Sequence, residues 1–297
     1  MPKIIYEEKK FTLSTLTTIH QAEDIIQEYQ AQGYSLTLRQ LYYQFVARGL
    51  IPNTERDYKR MGNIISDARR AGMIDWDAIE DRTRFIRTIA SWDDPREILD
   101  SARDSYHRDL WKTQDKRFEV WIEKDALIGV IEPICKELDL PHFSCRGYVS
   151  DSEMWQAAMR LLRHVRNGQD VIVLHLGDHD PSGIDMTRDI TDRLNLFSFF
   201  KGGIEVRRIA LTMEQIEEVN PPPNPAKVTD SRYEKYSAEF GEESWELDAL
   251  EPSYIADLIQ RAVFEERDIE RWEEAYKKQE EERRQIQDII DRWEELF

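Results

Sequence analysis

The 297-residue chain reads as an α/β protein in which a mostly parallel sheet is flanked by helices and preceded by a helical N-terminal unit. Three observations carry that expectation. Short apolar runs rich in β-branched residues, above all Val171–Leu176, have the unbroken hydrophobicity of strands covered on both faces. Stretches of helical periodicity, roughly 10–15 residues long, separate these runs and so predict βαβ units. The region from Leu36 to Gly72 shows helical periodicity and no strand pattern, which sets it apart from the rest of the chain.

In chain order, His20–Gln32 predicts a polar helix closed by Gly33. Thr37 can cap a helix with apolar positions Leu38, Leu41, Tyr42 and Phe45, ended by Gly49. Thr54 can cap a second helix reaching about Ala71, with Tyr58, Met61, Ile65 and Ala68 on one face. Arg56, Lys59, Arg60, Arg69 and Arg70 crowd its other faces, so the pair reads as a DNA-binding helix-turn-helix or winged-helix unit, or equally as an ordinary helical hairpin with solvated charges. Asp93–Lys112 predicts a further helix. Strands are expected at Phe118–Ile122, His142–Cys145, Val171–Leu176 and Ile204–Ile209, with helices at Ala126–Leu138, Asp151–Val165 and Ile184–Leu194. Asn220–Pro225 is a stiff connector, and Trp245–Leu250 and Ile255–Val263 return to apolar periodicity. Phe264–Phe297 predicts a long charged helix, either a partner arm or a plain surface helix. The expected divisions are therefore 1–117, 118–263 and 264–297.

Composition narrows the function classes. No run is long enough to span a membrane, and the start MPKIIYEEKK lacks the apolar segment of a signal peptide, which together predict a cytoplasmic protein. Cys135 and Cys145 are too few for a disulfide framework or zinc knuckle and are expected as core thiols. A net charge of −18 argues against nucleic acid until its distribution is read. Residues 36–72 hold seven basic side chains against three acidic, whereas 264–297 hold seven against thirteen. The local basic patch keeps DNA as a candidate partner.

Gly177 ends the strand at Leu176, Asp178 and Asp180 follow at i, i+2, and Pro181-Ser182-Gly183 leads into the next helix. Ligand sites in parallel sheets lie at the carboxyl ends of strands, where Glu123 also falls. Three carboxylates there suit Mg²⁺, which takes oxygen ligands and leaves room for a substrate phosphate. A solvated turn with helix-capping acids is the competing expectation. His175 and His179 flank the pair, but imidazole suits Zn²⁺ better than Mg²⁺ and they are left out of the shell. Lys124, Lys227 and Arg232 are candidate phosphate contacts or surface ion pairs.

Trp121-Ile122-Glu123-Lys124-Asp125-Ala126 together with Gly177-Asp178-His179-Asp180-Pro181-Ser182-Gly183-Ile184 resembles the Toprim domain of the topoisomerase VI A subunit and of the related meiotic double-strand-break transesterase. Gly147-Tyr148, Arg208–Leu211 and Glu246–Leu250 extend the likeness, which covers Phe118–Val263. The resemblance implies a Toprim-type sheet, Glu123, Asp178 and Asp180 as Mg²⁺ ligands, and an N-terminal winged-helix domain carrying a nucleophilic tyrosine. That family places an Arg four residues before the second of two adjacent tyrosines, as in Arg39-Gln40-Leu41-Tyr42-Tyr43. Periodicity separates the two: Tyr42 lies on the apolar stripe, and Tyr43 about 100° round the helix, one turn past Arg39. Tyr43 is the candidate nucleophile and Arg39 the group expected to hold a phosphate and favour the phenolate.

Three functions stay open on these residues. The first is Mg²⁺-dependent cleavage of double-stranded DNA by tyrosine transesterification, and the resemblance implies a homodimer in which Tyr43 of one subunit serves the acids of the other. Strand passage would then need a separate ATPase subunit, since the chain has no P-loop signature. The second is a Toprim nuclease using a metal-bound water. The third is a non-catalytic DNA-binding subunit.

Overall fold

The computed structural model describes residues 3–79, 89–199 and 202–293. Parts of the first and third expected divisions, 1–2, 80–88 and 294–297, lie outside the described residues.

Three helices form the N-terminal unit: α1 (Leu13–Ala31), α2 (Leu38–Ala47) and α3 (Glu55–Arg70). Thr37 and Gln40 make a reciprocal capping box at the start of α2, and Thr54 caps α3, as their sequence positions predict. Leu41 and Phe45 from α2 meet Met61, Ile65 and Ala68 from α3 and Ile19, Ile25 and Tyr29 from α1 in one core. Among the described residues of this unit the β pairings are isolated bridges, Ile5 to Ala71 and Leu36 to Ile79.

The helix expected over Asp93–Lys112 is shorter. It is α4 (Pro95–Ser105), capped by Asp94, and a separate 3-10 turn follows at Leu110–Thr113. That turn feeds β1 (Lys116–Ile122), α5 (Ile128–Glu137), β2 (His142–Ser144), α6 (Asp151–Arg166), β3 (Asp170–Leu176), α7 (Pro181–Phe197) and β4 (Ile204–Ala210). The four strands are all parallel in the order β2-β1-β3-β4. Alternation divides the strand side chains between two layers. Phe118, Val120, Ile122, Ile172, Leu174 and Leu176 pack with α5 residues on one face, while Trp121, Val171 and Val173 pack with α6 and α7 residues on the other.

Past the sheet lie α8 (Met213–Val219), the two-residue strand β5 (Asn224–Pro225), α9 (Tyr233–Phe240), its antiparallel partner β6 (Glu243–Ser244) and a 3-10 turn at Leu247–Ala249. The helix α10 (Pro252–Phe264) then covers the α5 face. The last helix, α11 (Ile269–Asp291), is not solvated all round as its charge suggests. Its Trp272 is buried with the ring 5.1 Å from that of Trp111, and Glu282 binds the Tyr106 phenol and the Arg108 guanidinium. Charged residues on the outer faces hid an apolar stripe.

Among the described residues no helix is long and apolar enough to cross a membrane. Both cysteines are buried and unpaired, as expected.

Candidate active site

The register of β1 against β3 places Ile122 opposite Leu176, so the two chains leave the sheet side by side. Glu123 N–H donates to Leu176 O at 2.8 Å, and Glu123 Oε2 accepts from Asp178 N–H at 2.9 Å. Two glycines allow this closeness. A Cβ on Gly177 would stand 3.0 Å from Glu123 Oε2, and one on Gly183 would stand 2.2 Å from Asp178 O. Asp180 caps α7, its Oδ1 accepting from Gly183 N–H at 2.6 Å. The helix-capping expectation is therefore met at Asp180, and convergence is met at Glu123 and Asp178.

Lys124 points into the acids rather than toward solvent. Its ammonium lies 2.8 Å from Asp178 Oδ2, 2.7 Å from Glu246 Oε2 and 3.0 Å from Asp248 Oδ2. Of its two expected roles the ion pair is the one found, and it lies inside the site rather than at the surface. Burial opposes its charge, but Asp178, Asp248 and Glu246 outweigh burial and keep it protonated. Asp178 Oδ1 accepts from Leu247 N–H at 2.8 Å. Glu246 is also ion-paired to Arg39 Nη2, and Asp248 Oδ2 lies 3.0 Å from Arg39 Nε. Burial acts against the Glu246 carboxylate, yet Lys124 and Arg39 hold its carboxyl down at about 2.

Arg208 on β4 fastens the acid loop from beneath. Its guanidinium donates to Gly177 O at 2.9 Å, Asp178 O at 2.6 Å, Gly183 O at 3.0 Å and Thr187 Oγ1 at 2.9 Å. Burial pulls it down to about 10 while Glu123, Asp178 and Asp180 pull it back up. His179, between the two aspartates, turns away from them: Nδ1 lies 2.9 Å from the Tyr236 hydroxyl, and its backbone pairs in both directions with Trp245. Burial depresses the imidazole to about 4, so it is neutral. His175 is buried, with Nδ1 2.9 Å from Thr187 Oγ1 and Nε2 without a partner among the described residues.

Tyr43 and Arg39 arrive at these acids from α2, which packs on the 3-10 turn at Leu247–Ala249. The contact lies within one chain, whereas the resemblance implies that Tyr43 serves the acids of a partner subunit. Arg39 stands 5.8 Å from the Tyr43 ring centre and shares its carboxylate partners with Lys124. Periodicity placed Tyr43 off the apolar stripe, but it is as buried as Tyr42, with 5% and 4% exposure. The second cover is the Asn224 and Glu246 side of the site, which a helix pattern does not reveal. Burial and Glu246 push the phenol up to about 12 against the pull of Arg39, Lys124 and Asn224. Arg39 is committed to carboxylates here, so the expected bias toward phenolate is reversed in this state.

Five carboxylates (Glu123, Asp178, Asp180, Glu246 and Asp248) face three cations (Arg39, Lys124 and Arg208), so the acids outnumber their counter-charges. Burial, and for Glu123 the facing Asp178, pushes both Glu123 and Asp178 above the usual carboxylate range. Among the described residues no three His, Cys, Asp or Glu side chains stand ready in ligand geometry. The donor set nevertheless suits a hard divalent cation, since it offers oxygen ligands and holds more acids than counter-charges. Glu123 and Asp178, with Asp180 beside them, are the residues that can hold it.

Sequence reasoning missed the roles of Glu246, Asp248 and Arg208. Glu246-Leu-Asp248 repeats the i, i+2 acid spacing of Asp178-His-Asp180, and that repeat was a usable signal.

Of the basic residues on α3, Arg56, Lys59, Arg60 and Arg70 are exposed, with Lys59 2.6 Å from Glu55 and Arg70 3.8 Å from Glu7. Arg69 is instead folded inward over the Trp76 ring at 4.6 Å and donates to Trp76 O, so it is withdrawn from the expected DNA set. Arg232 lies 3.0 Å from Asp230 and stacks 5.1 Å from the Tyr148 ring centre, whereas Lys227 is exposed. No protein-family model matches the chain, and no curated protein matches it in sequence.

Proposed function

We propose that the chain is a Mg²⁺-dependent DNA-cleaving transesterase of the topoisomerase VI A type. The observation that carries this reading is one network: Arg39 of α2 shares Glu246 and Asp248 with Lys124, Lys124 binds Asp178, Asp178 N–H donates to Glu123, and Tyr43 lies beside Arg39, Lys124 and Glu246. A tyrosine beside a hard-cation donor set is a combination that phosphodiester transesterification needs and a purely structural ion cluster does not.

Glu123, Asp178 and Asp180 would hold Mg²⁺, which supplies charge neutralisation at the phosphate when bound. The chain's own residues do the rest. Exposed Arg56, Lys59, Arg60 and Arg70 bind the phosphate backbone of double-stranded DNA. A DNA phosphate competes with Glu246 and Asp248 for Arg39, freeing the guanidinium to hold a non-bridging oxygen. Arg39, which stands 5.8 Å from the Tyr43 ring centre, offsets the negative charge that develops on the phenol oxygen as Tyr43 gives up its proton. Its oxygen attacks phosphorus, the bond from phosphorus to the 3′ oxygen breaks, and that oxygen leaves as a hydroxyl after taking a proton. The products are a 5′-phosphotyrosyl end and a free 3′-OH, so the bond energy is conserved for resealing. In a homodimer each strand would be cut by one subunit, and strand passage would draw on a separate ATPase subunit.

A second reading, a nuclease that activates water at the same acids, is favoured by one observation: Tyr43 is buried with its phenol at about 12. A covalent-trapping experiment separates the two. After incubation with supercoiled DNA and Mg²⁺ and quenching in SDS, wild-type protein is expected to stay attached to cut DNA, and Tyr43→Phe is expected neither to cut nor to attach. Cleavage of equal extent by Tyr43→Phe would leave the nuclease standing and remove the transesterase.

A further inference from the structure

Lys124 occupies a cage built for a cation. Three carboxylates from two separate segments, Asp178 after β3 and Glu246 and Asp248 at the 3-10 turn, place oxygens at 2.8, 2.7 and 3.0 Å from its ammonium. The cage is closed on the Asp178 and Asp248 sides and opens toward solvent at Glu246, whose side chain is 24% exposed. An ammonium has three N–H donors, so three carboxylates saturate it. One oxygen is left over. Asp248 Oδ1 is buried and has no hydrogen-bond partner among the described residues, although Oδ2 of the same carboxylate binds both Lys124 and Arg39. A buried unpaired carboxylate oxygen is costly, and it marks a position where more positive charge or more coordination would be taken up. A divalent ion, with six oxygen ligands including water, accommodates such an oxygen where an ammonium does not.

We propose that Lys124 is the built-in cation of a second carboxylate cage, formed by Asp178, Glu246 and Asp248. The chain consequently takes one divalent ion, at Glu123 and Asp178, where its acids alone would hold two. This rests on the divalent-cation reading of Glu123 and Asp178 given above. Asp178 belongs to both positions, so the ammonium also sets the orientation of a ligand to the first ion, which makes Lys124 a positioning residue.

The test is the number of Mn²⁺ ions bound per full-length chain, counted from the free-ion signal in electron paramagnetic resonance. Wild type is expected to bind one, Lys124→Met two, and Lys124→Met with Asp248→Asn one. Two ions in wild type, or one in Lys124→Met alongside one in wild type, would overturn the proposal. No ion in wild type but one in Lys124→Met would refute the Glu123 and Asp178 site while upholding the cage. No ion in either protein would remove both. Should Lys124→Met be unfolded without metal, recovery of its native circular dichroism in millimolar Mn²⁺ supports the cage, and failure to recover overturns it.

Discussion

Two sets of cations in this molecule have the same chemistry and opposite surroundings. Arg56, Lys59, Arg60 and Arg70 on α3 stand in solvent with weak or single ion pairs. Arg39, Lys124 and Arg208 are each committed to two or more acceptors around the strand-end acids. The outer set can meet a phosphate backbone without disturbing the fold. The inner set holds like charges together, so its loss leaves buried acids uncompensated. The difference teaches that a basic residue's role is decided by what neutralises it, not by its sign.

The contrast is broken most severely at Arg208. Arg208→Met leaves the carbonyls of Gly177, Asp178, Gly183 and Leu211 without their donor and removes the positive charge facing Glu123, Asp178 and Asp180, and urea unfolding should show a loss of about 3–5 kcal/mol. An unchanged midpoint would place Arg208 with the outer set.

Glu246→Gln comes next, at about 2–3 kcal/mol, because Lys124 and Arg39 lose a shared partner. Its signature is in the pH dependence. The folded carboxyl sits at about 2, below its unfolded value of about 4.5, so its contribution is present above pH ~4.5 and is lost as pH falls toward about 2. Wild type should lose that stability across this window and Glu246→Gln should not, leaving the two curves closest at the acid end.

The outer set gives the smallest effect on folding and a clear effect on binding. Arg56→Gln with Arg60→Gln should change stability by less than about 0.5 kcal/mol. The same pair should weaken duplex DNA binding and lower the magnitude of its salt slope by about 2. A salt slope equal to wild type would show that α3 does not touch the backbone.

Much of the architecture was legible in the sequence for reasons the structure makes plain. Thr37, Gly49 and Thr54 mark helix ends through local hydrogen bonds and local backbone geometry, which sequence carries directly. The strands at 171–176 and 118–122 are continuous apolar runs because helices cover both sheet faces. Glu123 and Asp178 were brought together in advance by the rule that adjacent parallel strands end at one edge. What could not be read was long-range charge pairing. Glu246 and Asp248 lie more than a hundred residues from Lys124, and no local pattern links them. The burial of Tyr43 was hidden for the same reason, since its cover comes from the far side of the chain. The 264–297 segment misled through composition, because acids on the outer faces of α11 outnumber the few positions, Trp272, Gln279 and Ile290, that it buries.

The most direct measurement is the identity of the residue that becomes bonded to DNA. Covalent complexes formed with duplex DNA and Mg²⁺ would be digested with nuclease and trypsin and read by mass spectrometry. A nucleotide-phosphate adduct is expected on the peptide containing Tyr43, with the mass located on Tyr43 and not on Tyr42. Cut DNA with no adduct, or an adduct on another residue, would contradict the assignment of Tyr43 as nucleophile.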